Sequence, residues 1–360
     1  MSLKPSPIDH PDPPLDAKML DGLADPVFMV DHTSVVVGCN SAARDLLGPE
    51  ALGRKLHLIL SNKNIVETIL GTLDGKPKSH TEFSLRYPNG RDYQLRLWRL
   101  PDLKSAGPAW VMVIMHDVTD VNKAAQLRAD FVANVSHELR SPLASLLGFI
   151  ETLSGPARDD PQATNRFLEI MESEAKRMSR LIDDLLTLST VETQEHIRPT
   201  ASVKIGPILK RVAETLSVQA KERDMEIILN LNRNLPLITG EPDQLTQVFQ
   251  NLVANAVSYG TIKTPIRILT STHSGILDEG NAGVSIAIVN QGEGIEPADL
   301  ERLTERFYRA DKSRSRSMGG TGLGLAIVKH IVARHRGLLE IKSIPNDETS
   351  FTVHLPSAGS

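Results

Sequence analysis

One cysteine, Cys39, stands in 360 residues, which excludes an intramolecular disulfide and fits a reducing compartment. No apolar run approaches the ~20 residues that a membrane span requires; the longest clear one, Ala109 to Met115, is strand-sized. Charge of one sign is not in excess, since 40 basic and 44 acidic residues leave a formal net charge of −4, and nothing argues for nucleic-acid binding. The opening MSLKPSPIDHPDPPLD is proline-rich and lacks the apolar core of a signal peptide. It reads as a flexible leader, residues 1–14, on a cytoplasmic protein or on the cytoplasmic part of a membrane-associated sensor; membrane contact is not indicated. The length suits two or three domains, each with its own core.

The most informative stretch is FVANVSHELRSPLASLLGFIETL, residues 131–153. At 100° per residue Val132, Val135, Leu139, Leu143, Leu146, Ile150 and Leu153 fall within roughly 80° of one another, a seam of bundle type. His137 lies about 165° from the centre of that stripe, so a helix that buries its leucines holds the imidazole in water. Ser141, Ala144 and Gly148 follow on the histidine side at helical spacing, a strip of small residues that another surface can approach. Glu138 points about 100° round the helix. A neutral imidazole is a nucleophile near pH 7, and a carboxylate beside it can fix the tautomer and take the ring proton. A lone helical histidine is more often a solvated surface residue; the adjacent carboxylate is what changes the reading.

Upstream, residues 15–120 carry a mixed, short-ranged pattern. Pro26–Val30 and Ser34–Val37 read as a strand pair, Asn40–Leu47 as a helix stopped by Gly48 and Pro49, and Thr81–Tyr87 with Arg91–Leu100 as a hairpin around Pro88-Asn89-Gly90. Ala109–Val118 is a buried closing strand. His32, His57, His80 and Cys39 are scattered single residues and read as structural, and no flavin-type cysteine motif is present. Val121–Leu153 then forms one helix of roughly 50 Å, SGPARDDP (154–161) breaks it, and Gln162–Glu192 forms a second, with Phe167, Met171, Met178, Leu181, Ile182, Leu185 and Leu188 in its stripe. Two such helices cannot bury both seams alone, which predicts a homodimeric four-helix bundle through the helical hairpin. After a polar hinge at 193–202, helices over 205–223, 241–259 and 321–335 alternate with strands near 226–231, 266–271, 284–289, 338–343 and 351–355, an α/β sandwich spanning residues 203–357.

Three signals converge in this last region. QNLVANAVSYG (250–260) places Asn251 and Asn255 at the edge of a buried stripe, where their amides either cap backbone or offer hard oxygens to magnesium. NQGEGI (290–295) follows a strand with two glycines, weak by itself. GGTGLGLAIVKHI (319–331) leads glycines into a helix start, whose free amides and dipole favour phosphate. Between them ERFYRADKSRSRS (305–317) is basic: a solvated loop, or a lid beside a triphosphate.

SHELRSPL, residues 136–143, resembles the H box of two-component sensor histidine kinases. The three later stretches resemble the N box, the first glycine box, and the phenylalanine box with the second glycine box of the GHKL ATPase fold. The N-terminal region, a helical part then three strands ending in HDVTDV, is similar to a PAS sensor domain, and FVANVSHELRSPL most resembles sensors of phosphate-regulon type. The resemblance covers about residues 125–356. It implies a multidomain α+β chain: a PAS-like domain at 15–120, a dimerising phosphotransfer hairpin at 121–192, a hinge at 193–202 and an ATP-binding domain at 203–357. ATP and Mg2+ are the implied cofactors and a response-regulator receiver domain the implied partner. His137 would accept the γ-phosphoryl group, Glu138 would be its base, and Ser141 would help orient water for dephosphorylation of the partner. Asn255 would hold the metal. Asn251, Tyr259, Asn290, Gly292, Gly294, Ile295, Phe307, Arg309, Lys312, Gly320, Thr321, Gly322, Leu323 and Gly324 would line the nucleotide. Two positions depart from the pattern: Asn290, where the family has an Asp that accepts from the adenine amino group, and Ser258, where a phosphate-contacting cation is common. They leave open an alternative, a degenerate kinase acting mainly as a response-regulator phosphatase or scaffold. An ATPase-driven conformational machine is argued against by the whole H box.

Overall fold

The computed structural model describes residues 17–60, 62–74, 80–84, 90–100, 109–275, 282–310 and 320–358. The chain forms two compact units, 1–132 and 133–360. The first contains α1 (Ala17–Leu20), β1 (Val27–Val30), β2 (Val36–Cys39), α2 (Ser41–Leu47), α3 (Leu56–Ile59), α4 (Lys63–Leu73), β3 (His80–Ser84), β4 (Asp92–Leu100) and β5 (Trp110–Asp117). Its antiparallel sheet runs β2-β1-β5-β4-β3. Strand β2 starts two residues later than the apolar run suggests, because Asp31 Oδ1 accepts from the amides of Thr33 and Val35 and shapes the turn, with Ser34 at φ 66°. The β3–β4 pairing over His80–Ser84 agrees with the expected hairpin; the rest of its first strand and its turn, residues 85–89, lie outside the described residues. Asn40 is wholly buried and satisfied on both sides: its oxygen accepts from Val27 and Ala43 amides, and its nitrogen donates to main-chain carbonyls of residues 20, 23 and 25. The core around Phe28, Leu56, Ile65, Ile69, Leu95 and Met115 excludes solvent.

Helix α5 (Thr119–Ser154) continues through Pro142 without interruption. Helix α6 (Pro161–Gln194) starts on Asp160, whose Oδ1 accepts from Gln162 and Ala163 amides, with Pro161 at the position where a missing N–H costs nothing. Phe149 and Phe167 stack at 5.2 Å across the hairpin. Only part of its seam is covered within one chain. Leu181, Leu188 and Val191 are buried, but Val132, Leu143, Ile150, Leu168 and Ile182 are each about half exposed.

Beyond β6 (Ser202–Val203) lie α7 (Ile205–Lys221), β7 (Ile227–Asn230), β8 (Ile238–Thr239), α8 (Pro242–Tyr259), β9 (Ile266–Ser274), β10 (Ala282–Gln291), α9 (Pro297–Leu300), α10 (Gly324–Arg334), β11 (Leu338–Ser343) and β12 (Glu348–Pro356). The sheet runs β11-β12-β10-β9-β7, parallel only at β7–β9. Alternate residues Ile266, Ile268, Val284, Ile286, Ile288, Val353 and Leu355 are fully buried on one face, as are Leu245, Val248, Phe249 and Leu252 on the helix above. Each contributes about 1.5–3 kcal/mol by leaving water. The last helix starts at Gly324, three residues later than its sequence pattern begins, because Gly322 at φ 74° cannot be helical.

His335 ties this sandwich together. Its Nε2 accepts from the Glu241 amide at 3.0 Å and its Nδ1 donates to the Ile331 carbonyl at 2.7 Å, a pairing that needs the neutral ring. Burial lowers its pKa from the ordinary 6.5, the Ile331 carbonyl and Glu241 opposing and Arg334 assisting. A base with a depressed folded pKa keeps full stability above its unfolded pKa and loses it below, where only the unfolded chain binds the proton. The hydrogen-exchange protection factors of β9 and β10, corrected for the intrinsic pH dependence of exchange, are therefore expected to hold level above pH ~6.5 and to fall below it, with a slope of up to about 1.4 kcal/mol per pH unit. Protection that rises on acidification would contradict this.

Candidate functional site

A cleft of about 470 Å³ opens beside α8 and α10. Helix α8 presents Asn251, Asn255, Ser258 and Tyr259 to it, β10 and the following loop present Asn290, Gly292, Gly294 and Ile295, and Gly320, Thr321, Gly322 and Gly324 form its rim with Arg309. Three stretches well separated along the chain thus meet in one place. Asn251 Nδ2 donates to the Gly324 carbonyl at 3.3 Å, anchoring the rim to α8, whereas Asn255 faces the cleft.

Local geometry explains the glycines. A Cβ at Gly294 (φ 76°) would sit 2.7 Å from Pro345 Cα, and one at Gly322 would sit 3.0 Å from Phe307 Cα. Helix α10 has Leu323 at its cap position, where an apolar side chain bonds none of the first amides, while Gly324 and Leu325 line the cleft. Free amides and the positive end of the helix dipole make that end a seat for an anion.

Asn290 is 5 % exposed, and its Nδ2 donates to the Gln291 carbonyl at 3.2 Å. With that nitrogen committed to the backbone, the side-chain oxygen is left as an acceptor. Two expected lining residues do not line the cleft. Leu323 is fully buried beneath it as the helix cap, and Phe307, at φ 63°, acts through its backbone, its amide donating to the Gly322 carbonyl at 2.9 Å. Lys312 lies outside the described residues. Thr349 and Phe351 of β12 and Tyr308 join the lining unforeseen. Thr349 arrives because β12 pairs with β10 in the register Asn290↔Thr349, which residue spacing along the chain does not reveal.

On α5 the imidazole of His137 is exposed, as its position off the seam requires. Ser141 is also exposed. Glu138 is not free: its Oε2 accepts from Arg177 of α6 at 2.8 Å and from Arg309 at 3.5 Å. Arg309 also donates to the Gly320 carbonyl. The rim of the cleft therefore touches the residue next to His137 in the same chain.

A GHKL-type nucleotide cleft set against a helix that presents an exposed histidine defines a histidine-kinase core. Residues 240–359 match the histidine kinase-, DNA gyrase B- and HSP90-like ATPases, 127–194 the His Kinase A (phospho-acceptor) domain and 16–118 the PAS fold. The phosphate regulon sensor protein PhoR of Pseudomonas aeruginosa is 35% identical over 93% of this chain and 73% of its own length. The sensor-like histidine kinase SenX3 of Mycobacterium tuberculosis is 35% identical over 69% of this chain and 58% of its own length. The solved structure of histidine kinase ThkA in complex with response regulator protein TrrA overlaps 96% of this chain and 99% of its own at a TM-score of 0.49 and 18% identity. The chain belongs to the PAS-containing two-component sensor histidine kinases of phosphate-regulon type. It is an ATP-dependent protein-histidine kinase that autophosphorylates and passes the phosphoryl group to a response regulator. Among the described residues no helix is long and apolar enough to cross a membrane.

Proposed function

We propose that His137 is the phosphoacceptor and that the cleft between α8 and α10 supplies its ATP. The observation that carries this reading is the contact of Arg309, on the rim of the cleft, with Glu138, the neighbour of His137. The nucleotide sits with its base toward Asn290 and Thr349 and its phosphates at the uncapped end of α10. Magnesium suits Asn255, which offers a hard oxygen in the cleft while phosphate and water supply the remaining ligands. Lone-pair attack by the imidazole on the γ-phosphorus forms an N–P bond as the bond to the β-bridging oxygen breaks, ADP leaves, and Glu138 takes the ring proton. That role requires Glu138 to exchange its arginine partners for the ring. The phosphoryl group then passes to an aspartate of the receiver domain docked on the Ser141, Ala144 and Gly148 face, and Ser141 orients water for the reverse dephosphorylation. The half-open seam of α5 and α6 is covered by a second copy. The PAS-like domain at 15–120 biases the hairpin at 121–192, the ATP-binding domain at 203–357 moves on a hinge at 193–202, and the kinase works in the cytoplasm.

The test is incubation of the full chain with γ-labelled ATP, with and without chelation of magnesium. Acid-labile, alkali-stable label that requires the metal supports the reading; nucleotide binding without label favours the phosphatase or scaffold alternative.

Asn290 sets a second expectation. Replacing a charged acceptor by a neutral one costs about 1 kcal/mol, roughly tenfold in affinity. Asn290→Asp is therefore expected to bind ATP about tenfold more tightly and to discriminate further against GTP in competition binding. Equal preference in both proteins would remove Asn290 from base recognition.

A further inference from the structure

One wall of the cleft comes from none of the nucleotide motifs. Helix α6 contributes Arg180, Asp183 and Asp184 to the lining. Asp184 Oδ2 accepts a 2.6 Å hydrogen bond from the Thr321 hydroxyl, whose oxygen in turn accepts from the Leu323 amide at 3.3 Å. The carboxylate thus grips the loop that leads into the anion-seating end of α10. Burial pushes the Asp184 carboxyl up, with the Thr321 bond and Arg180 pulling it back and Asp183 adding to the rise. This is a charge in an uncomfortable place.

The placement does not hang on one rotamer. Further along the same helix Arg306 pairs with Glu192 at 2.6 Å, and His330 lies 3.0 Å from Glu195 and 3.4 Å from Glu192. Just beyond the helix, the Ile197 carbonyl accepts from Arg334 Nε at 2.9 Å. These contacts fasten α10 and the segment around Arg306 to the C-terminal half of α6, and with them Asp184 is fixed beside the loop.

A triphosphate seated at α10 brings its terminal negative charge toward this wall and competes for the Thr321 hydroxyl. A diphosphate, one phosphoryl group shorter, meets less repulsion and has less need of that hydroxyl. We propose that Asp184, on the phosphotransfer helix, is a specificity-determining residue of the nucleotide site: while α6 is docked, its carboxylate holds Thr321 and selectively weakens binding of nucleoside triphosphate relative to diphosphate. Withdrawal of α6 from the loop releases the hydroxyl and admits the triphosphate, so the position of the phosphotransfer helix is felt at the phosphate end of the cleft. The inference rests on the nucleotide reading of the cleft.

The test is equilibrium binding of a non-hydrolysable ATP analogue and of ADP, both with magnesium, to the full chain and to Asp184→Asn and Asp183→Asn. Asp184→Asn keeps shape and hydrogen-bonding capacity and removes the charge. It is expected to bind the ATP analogue about tenfold more tightly, as loss of one close like charge in a partly shielded cleft predicts, and ADP no more than about threefold more tightly on the same scale. Asp183→Asn, which lines the cleft without holding Thr321, is expected to change the ratio of the two affinities by less than about threefold. Weaker analogue binding by Asp184→Asn would make the carboxylate a metal ligand and overturn the proposal. An equal change for both nucleotides, or none, would overturn it too, since a merely structural role moves both together. A wild-type chain that binds neither nucleotide would defeat the reading of the cleft itself, a result distinct from failure at Asp184.

Discussion

A chain carrying His137→Ala is expected to take up no label from γ-labelled ATP while binding nucleotide as the unaltered chain does. The two results separate because His137 lies on α5, exposed and outside the lining of the cleft. Ser136 and Ser141 present hydroxyls on the same helix, but a neutral hydroxyl is a far weaker nucleophile near pH 7 than neutral imidazole. The loss should therefore be at least roughly thousandfold in rate. Stability should barely move, since an exposed side chain away from the seam has little packing to lose. Acid-labile label persisting at a comparable rate in His137→Ala would show that another group accepts the phosphoryl and would sink the assignment.

The second large effect is expected at Gly322, where the damage is to geometry. Its φ of 74° disfavours any residue with a Cβ, and that Cβ would fall 3.0 Å and 3.1 Å from Phe307 Cα and carbonyl carbon, backbone atoms that cannot swing aside. Phe307 is itself at φ 63° and its amide bonds the Gly322 carbonyl, so the two left-handed residues hold one another. Left-handed backbone costs an alanine about 1 kcal/mol, and the forced separation adds a further 1–3 kcal/mol of the kind seen on overpacking. Relief comes by moving the loop, because Gly324 onward is anchored in α10 by buried Ala326, Ile327 and Val328. Gly322→Ala should thus lose about a hundredfold in ATP affinity, with the hydrogen-exchange protection of the sheet retained. Near-normal nucleotide binding would mean that the loop does not cradle phosphate in this form.

Much of the architecture is legible in the sequence. The α8 stripe of Leu245, Val248, Phe249 and Leu252 is wholly buried, and the strands of the second unit lie where alternation places them. These features depend on periodicity, and burial of one face enforces periodicity strongly. The exposure of His137 was legible for the same reason: a polar residue opposite a leucine seam has nowhere to point but outward. Short elements were less visible. The four-residue α3 and the two-residue β6–β8 pair lack the length over which a period declares itself, and Gly322 postponed the start of α10 by a single backbone angle.

Lining of the cleft divides along the same boundary. The glycines and asparagines of the nucleotide stretches are local signals, since each marks a turn or a helix edge by its residue type alone. Leu323 and Phe307 carry the same motif yet face away from the cleft, because whether a motif residue turns inward depends on the backbone angles of its neighbours. Thr349 enters only through the β10–β12 register, and Asp184 only because α6 packs against α10, across 137 residues of chain. What the sequence by itself determined was the set of elements and the chemistry each carries, because hydrophobic periodicity and helix-end geometry are written within one turn or one strand. What the tertiary structure alone decided was which charges face one another. Glu138 held by Arg177 and Arg309, and Asp184 gripping Thr321, depend on through-space contacts between distant segments, and ion pairs and side-chain hydrogen bonds have no period along the chain from which to read them.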